Sequence, residues 1–230
     1  MKDRFIQLLL RFDIPRVIAE DVWHDLSGCY REPHRYYHTL AYIEQGLIEF
    51  DNLKKIVPAL NSQGTSDDFE LAWWFHNAVY SLECDTNSIE SVKFLNDQIG
   101  SNLSMITRSQ VAILILMTGD VFQEGTFYDL MRDISYAVLG KSPNVFTAYC
   151  SEVEQEALTI MNEQEFIDQR IYWVEKILSG KNIYWTKEFQ EQYEWMAKSN
   201  LERLIKQLKK RRPWYQRVGD AIKSFKIFKE

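Results

Sequence analysis

Apolar residues recur along this chain every three or four positions, which is the spacing that places side chains on one face of a helix. The set Leu40, Ile43, Leu47 and Phe50 is a clear example. No segment shows the sustained alternation of apolar and polar residues that predicts a strand. The pattern therefore predicts an all-α protein. The predicted helices cover residues 3–12, 15–28, 32–50, 51–59, 70–80, 87–99, 106–117, 127–139, 143–158, 165–178 and 186–208.

The predicted helix at 70–80 is apolar on nearly every side, which is typical of a buried helix at the centre of a helical protein. The polar stretch 61–68 before it predicts a loop, with Asp67 or Asp68 capping the helix. Within the helix, His76 stands next to Asn77 among bulky apolar residues. A helix that only packs against its neighbours does not need such a pair, so the pair is a candidate functional feature.

Charge is unevenly distributed along the 230 residues, whose formal net charge is −6. Residues 198–230 contain eleven Lys or Arg and three Asp or Glu, a net charge of +8, which leaves −14 for residues 1–197. An acidic body repels phosphates, so the main domain is not expected to bind nucleic acid. The basic tail needs a separate explanation.

The three cysteines are far apart and fit neither a zinc motif nor a disulfide framework, which favours reduced thiols. The apolar run at residues 5–10 is ended by Arg11 and Asp13, too early for a signal peptide. Other apolar runs, such as 111–117, are much shorter than a membrane span. These features predict a cytoplasmic protein.

The basic tail begins with the Lys/Arg cluster 209–212, and Pro213 then breaks the helical pattern. From 213 to 230 apolar residues form one helical stripe and basic residues flank it, which predicts an amphipathic helix. Such a helix could dock on its own domain, on a protein partner or on a membrane surface. The predicted organisation is a helical domain at 1–208 and this extra C-terminal helix within 209–230.

Histidines are the residues most able to carry chemistry here, and the chain has only four. In the predicted helix at 32–50, His34 and His38 would share one stripe with Tyr42. His38, His76 and the carboxylate of Asp133 could form a mixed nitrogen and oxygen site suited to Mn, Fe, Zn or Mg. The alternative is that both histidines are core residues satisfied by their neighbours. Likewise, Asp133 could be an exposed helical carboxylate or a partner of Arg132, and His34-Arg35 could be a surface pair.

A family resemblance is carried by segments in order along residues 5–208. The matching segments are YREPHRYYHTL at 30–40, WFHNAVY at 74–80, VLG at 138–140, IY at 183–184 and AKSNL at 197–201. They resemble the predicted metal-dependent phosphohydrolases of the HD superfamily, and the resemblance implies an HD-like helical bundle. The superfamily's metal motif is a His, then a His-Asp doublet, then a distant Asp, all on helices.

Residue by residue, the resemblance assigns His38 to the first ligand and His76 to the histidine of the doublet. Asn77 stands where the family has Asp. Asp133 matches one of two Asp residues in the distal segment, while Ser135 replaces the other, which we favour as the family's ligand. His34 and Arg35 would contact a substrate phosphate at the mouth of the site.

Other polar positions have also changed, because Tyr36, Tyr42 and Asp120 stand where a His is usual in that family. Asn77 offers a neutral carbonyl oxygen in place of an anionic ligand, which weakens attraction for a divalent ion. Two hypotheses therefore stay open. One is a weakly active or non-catalytic HD-like protein that binds a ligand, or a protein partner through 213–230. The alternative is an active divalent-metal phosphohydrolase of a nucleotide or small phosphate ester, with water attacking phosphorus on a metal held by His38, His76, Asn77 and Asp133.

Overall fold

The computed structural model describes residues 1–118 and 126–213, and every regular element in these residues is helical. This confirms the all-α prediction. The α-helices are α1 (Lys2–Arg11), α2 (Arg16–Cys29), α3 (Leu40–Leu53), α4 (Gln63–Phe75), α5 (Asn87–Ile99), α6 (Met105–Leu116), α7 (Thr126–Tyr136), α8 (Pro143–Ala157), α9 (Glu163–Ser179) and α10 (Lys187–Arg211). Short 3₁₀ helices occupy Pro58–Asn61 and Ala137–Gly140.

The chain forms two compact units. Of the described residues, the first unit contains 1–118 and 126–137 together with the short segment 184–186, and the second contains 138–183 and 187–213. The first unit therefore holds α1 to α7, and the second holds α8 to α10. All of the predicted site residues lie in the first unit.

Helix α4 is the centre of the first unit and packs against α1, α3, α5 and α6. The side chains from Leu71 to Phe75 are fully buried, which explains why the sequence is apolar on every side of this helix. Arg4 of α1 ties the helices together, because its guanidinium donates to Asp51 at 2.6 Å and to Glu70 at 2.7 Å. The prediction of a buried central helix is thus confirmed.

The bounds of α4 differ from the prediction at both ends. The stretch 61–68 was expected to be a loop, yet the helix begins at Gln63 after Ser62, whose hydroxyl donates to the Thr65 hydroxyl at 2.7 Å. Asp67 and Asp68 consequently lie inside the helix and are not its caps.

At its other end α4 stops at Phe75, and residues 76–80 are not helical. The prediction of a helix to residue 80 was therefore wrong in this last turn. The carbonyls of Asn77 and Ala78 accept hydrogen bonds from Arg35 and not from a following helical turn.

The segment before α3 is also irregular. The sequence predicted a helix from about residue 32, but α3 begins at Leu40 and residues 31–39 form turns and bends. The single helical stripe proposed for His34, His38 and Tyr42 is therefore wrong. The reason is Arg35, whose buried guanidinium donates to distant backbone carbonyls, an arrangement that holds the chain out of the helical path.

Gly46 of α3 allows that helix to lie directly against Trp73 of α4. A Cβ atom at position 46 would lie 1.9 Å from the Cζ2 atom of the Trp73 ring. The indole Nε1 also donates to the carbonyl of Ile43 at 2.9 Å. Only glycine permits this approach, which fixes the register of α3 on α4.

In the second unit α9 packs along α10. Helix α9 starts with a capping box. The Asn162 side chain accepts from the Glu165 backbone at 3.0 Å, and the Glu165 carboxylate accepts from the Asn162 backbone at 3.1 Å. The amide nitrogen of Asn200, which is fully buried on α10, donates to the carbonyls of Leu139 and Lys141. These bonds fix the start of this unit to its longest helix.

Residues 209–211, predicted to belong to the C-terminal element, continue α10 to Arg211. The amphipathic helix predicted for 213–230 lies, from residue 214 onward, outside the described residues. Within the described ranges, no helix combines the length and the apolar character needed to cross a membrane.

Candidate functional site

Arg35 joins the irregular segment before α3 to the turn after α4. Its side chain has no solvent exposure, and its guanidinium donates to the carbonyls of Asn77 at 2.7 Å and Ala78 at 2.9 Å. Its Nε atom donates to the Glu32 carboxylate at 2.9 Å. The phosphate contact predicted for Arg35 would have to compete with all of these bonds.

His76 ends α4 and lies at the centre of the candidate site. Its Nδ1 atom is 2.7 Å from the Trp73 carbonyl oxygen, which can only accept, so Nδ1 carries the proton. The Nε2 atom is 3.0 Å from the Tyr42 hydroxyl and 3.1 Å from the Asn77 amide nitrogen, and it therefore accepts. Burial lowers the pKa of His76 to about 3, which keeps the ring neutral.

The His76 ring belongs to a group of six rings, which we call the aromatic cluster. Their members are Tyr37, His38, Tyr42, Trp73, His76 and Tyr80. Within it, Trp73 stacks on His76 with ring centroids 4.3 Å apart, and His38 lies 4.2 Å from Tyr80. The ring centroid of Tyr42 is 5.4 Å from that of His38 and 5.6 Å from that of His76. The structure thus brings His38, His76 and Asn77 into one region, as the sequence predicted, with the Tyr42 ring in contact with both histidines.

His34 lies at the edge of the same region and is half-exposed. Its Nε2 atom is 3.0 Å from the Tyr80 carbonyl and 3.8 Å from the Glu32 carboxylate. Its ring is stacked on Tyr80 at 6.4 Å. Among the residues predicted to bind substrate, His34 has the greater exposure and Arg35 is buried.

Asp133 of α7 is fully buried and is used by the segment 184–186. Its carboxylate accepts from the Trp185 backbone at 2.9 Å, from the Thr186 backbone at 2.8 Å and from the Thr186 hydroxyl at 2.6 Å. Burial raises the pKa of Asp133 to about 6, and these three hydrogen bonds oppose that rise. The alternative of an exposed helical carboxylate is therefore wrong.

The remaining positions compared with the family have local roles. The Ser135 hydroxyl donates to the Met131 carbonyl within α7 at 3.0 Å. Tyr36 is 45% exposed, whereas Tyr42 belongs to the aromatic cluster. Asp120 lies outside the described residues.

A divalent metal at these residues would need lone pairs that are already in use. Nε2 of His76 accepts from Tyr42, and the carboxylate of Asp133 accepts three hydrogen bonds. In residues 1–118 and 126–213, no group of three or more His, Cys, Asp or Glu side chains could hold a metal ion. His76 and Asp133 are thus engaged within the protein, and the Mn, Fe, Zn or Mg site predicted at His38, His76, Asn77 and Asp133 stays a prediction.

The basic cluster 209–212 is engaged within the second unit. Lys209 pairs with Glu175 at 2.8 Å, Arg211 pairs with Glu163 at 2.8 Å, and Arg212 pairs with Asp168 at 2.8 Å. These ion pairs hold the end of α10 on α9. Because these side chains are paired with carboxylates, the attraction of the cluster for a phosphate backbone or an anionic surface is reduced.

A cavity of about 790 Å³ lies elsewhere in the first unit. It is bordered by the start of α4, by α6 and by the start of α7. Asp67 and Asp68 line it together with Arg11, whose Nε atom is 2.8 Å from the Asp67 carboxylate. The cavity shares no residue with the aromatic cluster.

Comparison of the chain with models of known protein families, with curated proteins and with solved structures found no match. The function has to be argued from the geometry of the two regions described above.

Sequence reasoning missed three of the residues that shape these regions. Tyr42 was expected to share a helical stripe with His38 and was noted as a changed position, but its hydrogen bond to His76 was not predicted. Arg35 was considered for phosphate binding and not for its bonds to the backbone. Asp68 was placed in a loop, so the cavity that it lines was not predicted.

Proposed function

We propose that this protein is a non-catalytic member of the HD-like class, which acts by binding and not by hydrolysis. In this proposal the ancestral metal centre has been replaced by the hydrogen-bonded aromatic cluster. One observation carries the proposal. The nitrogen of His76 that would face a metal accepts a hydrogen bond from the Tyr42 hydroxyl at 3.0 Å.

The state of His76 supports this proposal further. With Nδ1 donating to the Trp73 carbonyl, Nε2 is the only ring nitrogen with an available lone pair. A metal at Nε2 would displace both Tyr42 and Asn77 from a ring that is 2% exposed. Breaking a hydrogen bond of this kind costs about 0.5–1.5 kcal/mol, so metal binding would begin with that penalty at each of the two bonds.

Asp133 supports the same proposal from another part of the unit. Its three hydrogen bonds attach the segment 184–186 to α7, and Tyr184 adds a bond to the Tyr136 carbonyl at 3.0 Å. Recruiting the carboxylate to a metal would compete with these hydrogen bonds from Trp185 and Thr186. The residue that would complete the metal site thus has a structural role.

The test is a metal analysis of protein purified without chelator, combined with hydrolysis of 4-nitrophenyl phosphate and of mixed nucleoside monophosphates with added Mn²⁺. We expect Mn, Fe and Zn far below one ion per chain, and no hydrolysis that depends on His76. Near-stoichiometric metal that is lost in His76→Ala would overturn the proposal. If His76→Ala does not fold, Asn77→Ala serves instead, because the Asn77 side chain is only half-buried.

A gain-of-function series separates a lost metal site from one that never existed. The variant Asn77→Asp with Ser135→Asp restores two carboxylates, and adding Tyr42→His removes the hydroxyl from Nε2 of His76. We expect metal binding to appear only when Tyr42 is also replaced. Mn²⁺ binding by the double variant alone, with affinity equal to that of the triple variant, would contradict the role assigned to Tyr42.

A further inference from the structure

The cavity beside α4 is lined by a buried charge that has no counter-ion among the described residues. Asp68 is 9% exposed and lines the cavity, and in the described part of the chain it has no hydrogen-bond or ion-pair partner. Its neighbour Asp67 differs, because it pairs with Arg11 at 2.8 Å. Of these three charges, one negative charge is left over and it faces the cavity.

An unpaired carboxylate at such a position is costly for folding. Charged side chains are rarely buried without a partner, because the lost hydration must be replaced by a counter-charge or by hydrogen bonds. Burial and the adjacent Asp67 raise the pKa of Asp68 to about 6, so the carboxylate is still mainly ionised at neutral pH. A cost of this kind is a sign of function when the charge lies in a cavity.

The walls of the cavity indicate the kind of partner. Phe12, Ile113 and Phe127 supply apolar and aromatic surface, while Thr107 and Gln110 supply neutral polar groups. The volume of about 790 Å³ is within the usual range for sites that bind small molecules. Aromatic rings beside a carboxylate are the surroundings that proteins use to bind organic cations.

We propose that this cavity binds a small organic cation, a protonated amine attached to an apolar or aromatic body, with Asp68 as its counter-ion. The amine would pair with Asp68, and the apolar body would lie against Phe127 and Ile113. A metal ion fits less well, because one free carboxylate supplies too few hard oxygen ligands. This inference does not depend on the proposed loss of the metal centre, since the two regions share no residue.

The experiment uses three probes of similar size and different charge, namely phenethylamine, 2-phenylethanol and 3-phenylpropionate. Binding to the full chain is followed by the NMR signals of the Ile113 methyl groups and by thermal shift at pH 7.5. We expect saturable binding of phenethylamine, weaker binding of the alcohol and none of the acid. Equal binding of amine and alcohol, or no binding of the amine, would overturn the proposal.

Two variants and a matched control make the test specific. Asp68→Asn should weaken amine binding at least about tenfold while leaving the alcohol unchanged, because it removes only the counter-charge. Ile113→Trp should fill the cavity and abolish binding of both probes. Asp97→Asn removes the same charge from an exposed position on α5 and should have no effect. Amine binding that is retained in Asp68→Asn, or lost equally in Asp97→Asn, would show that Asp68 is not the binding residue.

Discussion

The close approach of Gly46 to Trp73 permits a prediction that can be worked out from distances. A methyl group at position 46 would lie 1.9 Å from Cζ2 and 2.1 Å from Cε2 of the indole, far inside van der Waals contact. Relief would require the ring to move by roughly 1.5 Å, given normal carbon contacts of about 3.5 Å. The Trp73 ring cannot move freely, because it is fully buried and stacked on His76.

The cost of Gly46→Ala can be built from three contributions. Overpacking of a buried site costs about 1–3 kcal/mol. Displacing the indole breaks its 2.9 Å hydrogen bond to the Ile43 carbonyl, and leaving the buried N–H without a partner costs about 1–3 kcal/mol. Alanine is favoured over glycine in a helix by about 1 kcal/mol, which partly offsets these costs. We therefore expect the free energy of unfolding to fall by about 1–5 kcal/mol.

Gly28→Ala is the matched control. Gly28 also lies within a helix, α2, but a Cβ atom there would meet nothing within 4 Å. This variant keeps the propensity gain without the clash and should be up to about 1 kcal/mol more stable than the wild type. The assay is equilibrium unfolding in urea, followed by circular dichroism. If Gly46→Ala and Gly28→Ala have equal unfolding free energies, the packing of α3 on α4 described above is incorrect.

Three further predictions concern charge and hydrogen bonding. His76 should appear in ¹⁵N NMR as a neutral ring protonated on Nδ1, with no titration between pH 5 and 8, because its pKa is lowered to about 3; a titration near pH 6.5 would contradict this. Burial raises the pKa of Asp68 from 3.8 to about 6, so ionisation destabilises the fold as pH rises through that window. Asp68→Asn should therefore be more stable than the wild type by up to about 3 kcal/mol at pH 7, with the difference vanishing as the pH falls below 3.8. A difference independent of pH in urea unfolding would refute the assignment. Arg35→Lys removes bonds to two carbonyls and should lower the free energy of unfolding by about 2–4 kcal/mol. The control Arg31→Lys changes an exposed residue and should lower it by less than about 0.5 kcal/mol in the same assay. Equal losses would contradict the buried role of Arg35.

The buried position of α4 could be predicted from the sequence, because a buried helix needs apolar residues on all of its sides. The residues Trp73 to Phe75 are apolar on all sides of α4, and a segment of this kind is stable only when other helices surround it. The start of α4 could not be predicted in the same way. Polar residues such as Asp67 and Asp68 resemble a loop, yet they belong to the helix and line a cavity. Polarity indicates contact with water or with a polar cavity, and the sequence does not distinguish the two.

The irregular segment before α3 shows a second limit. Its residues have no strong helix breaker after Pro33, so local preference favours a helix over the region that contains His34 and His38. The competing interaction comes from Arg35, whose partners Asn77 and Ala78 lie more than 40 residues away in the sequence. Local periodicity does not report such a bond, although a single Arg among aromatic residues is a place where one can occur.

Asp133 shows most clearly why a residue type does not establish a role. The sequence permits a metal ligand, an exposed carboxylate or a partner of Arg132 at this position. In the structure its two oxygens accept from donors in Trp185 and Thr186, more than 50 residues later. A carboxylate has about four lone-pair positions, so three donors leave little capacity for a metal. These three hydrogen bonds give Asp133 a structural role, because they hold the segment 184–186 on α7.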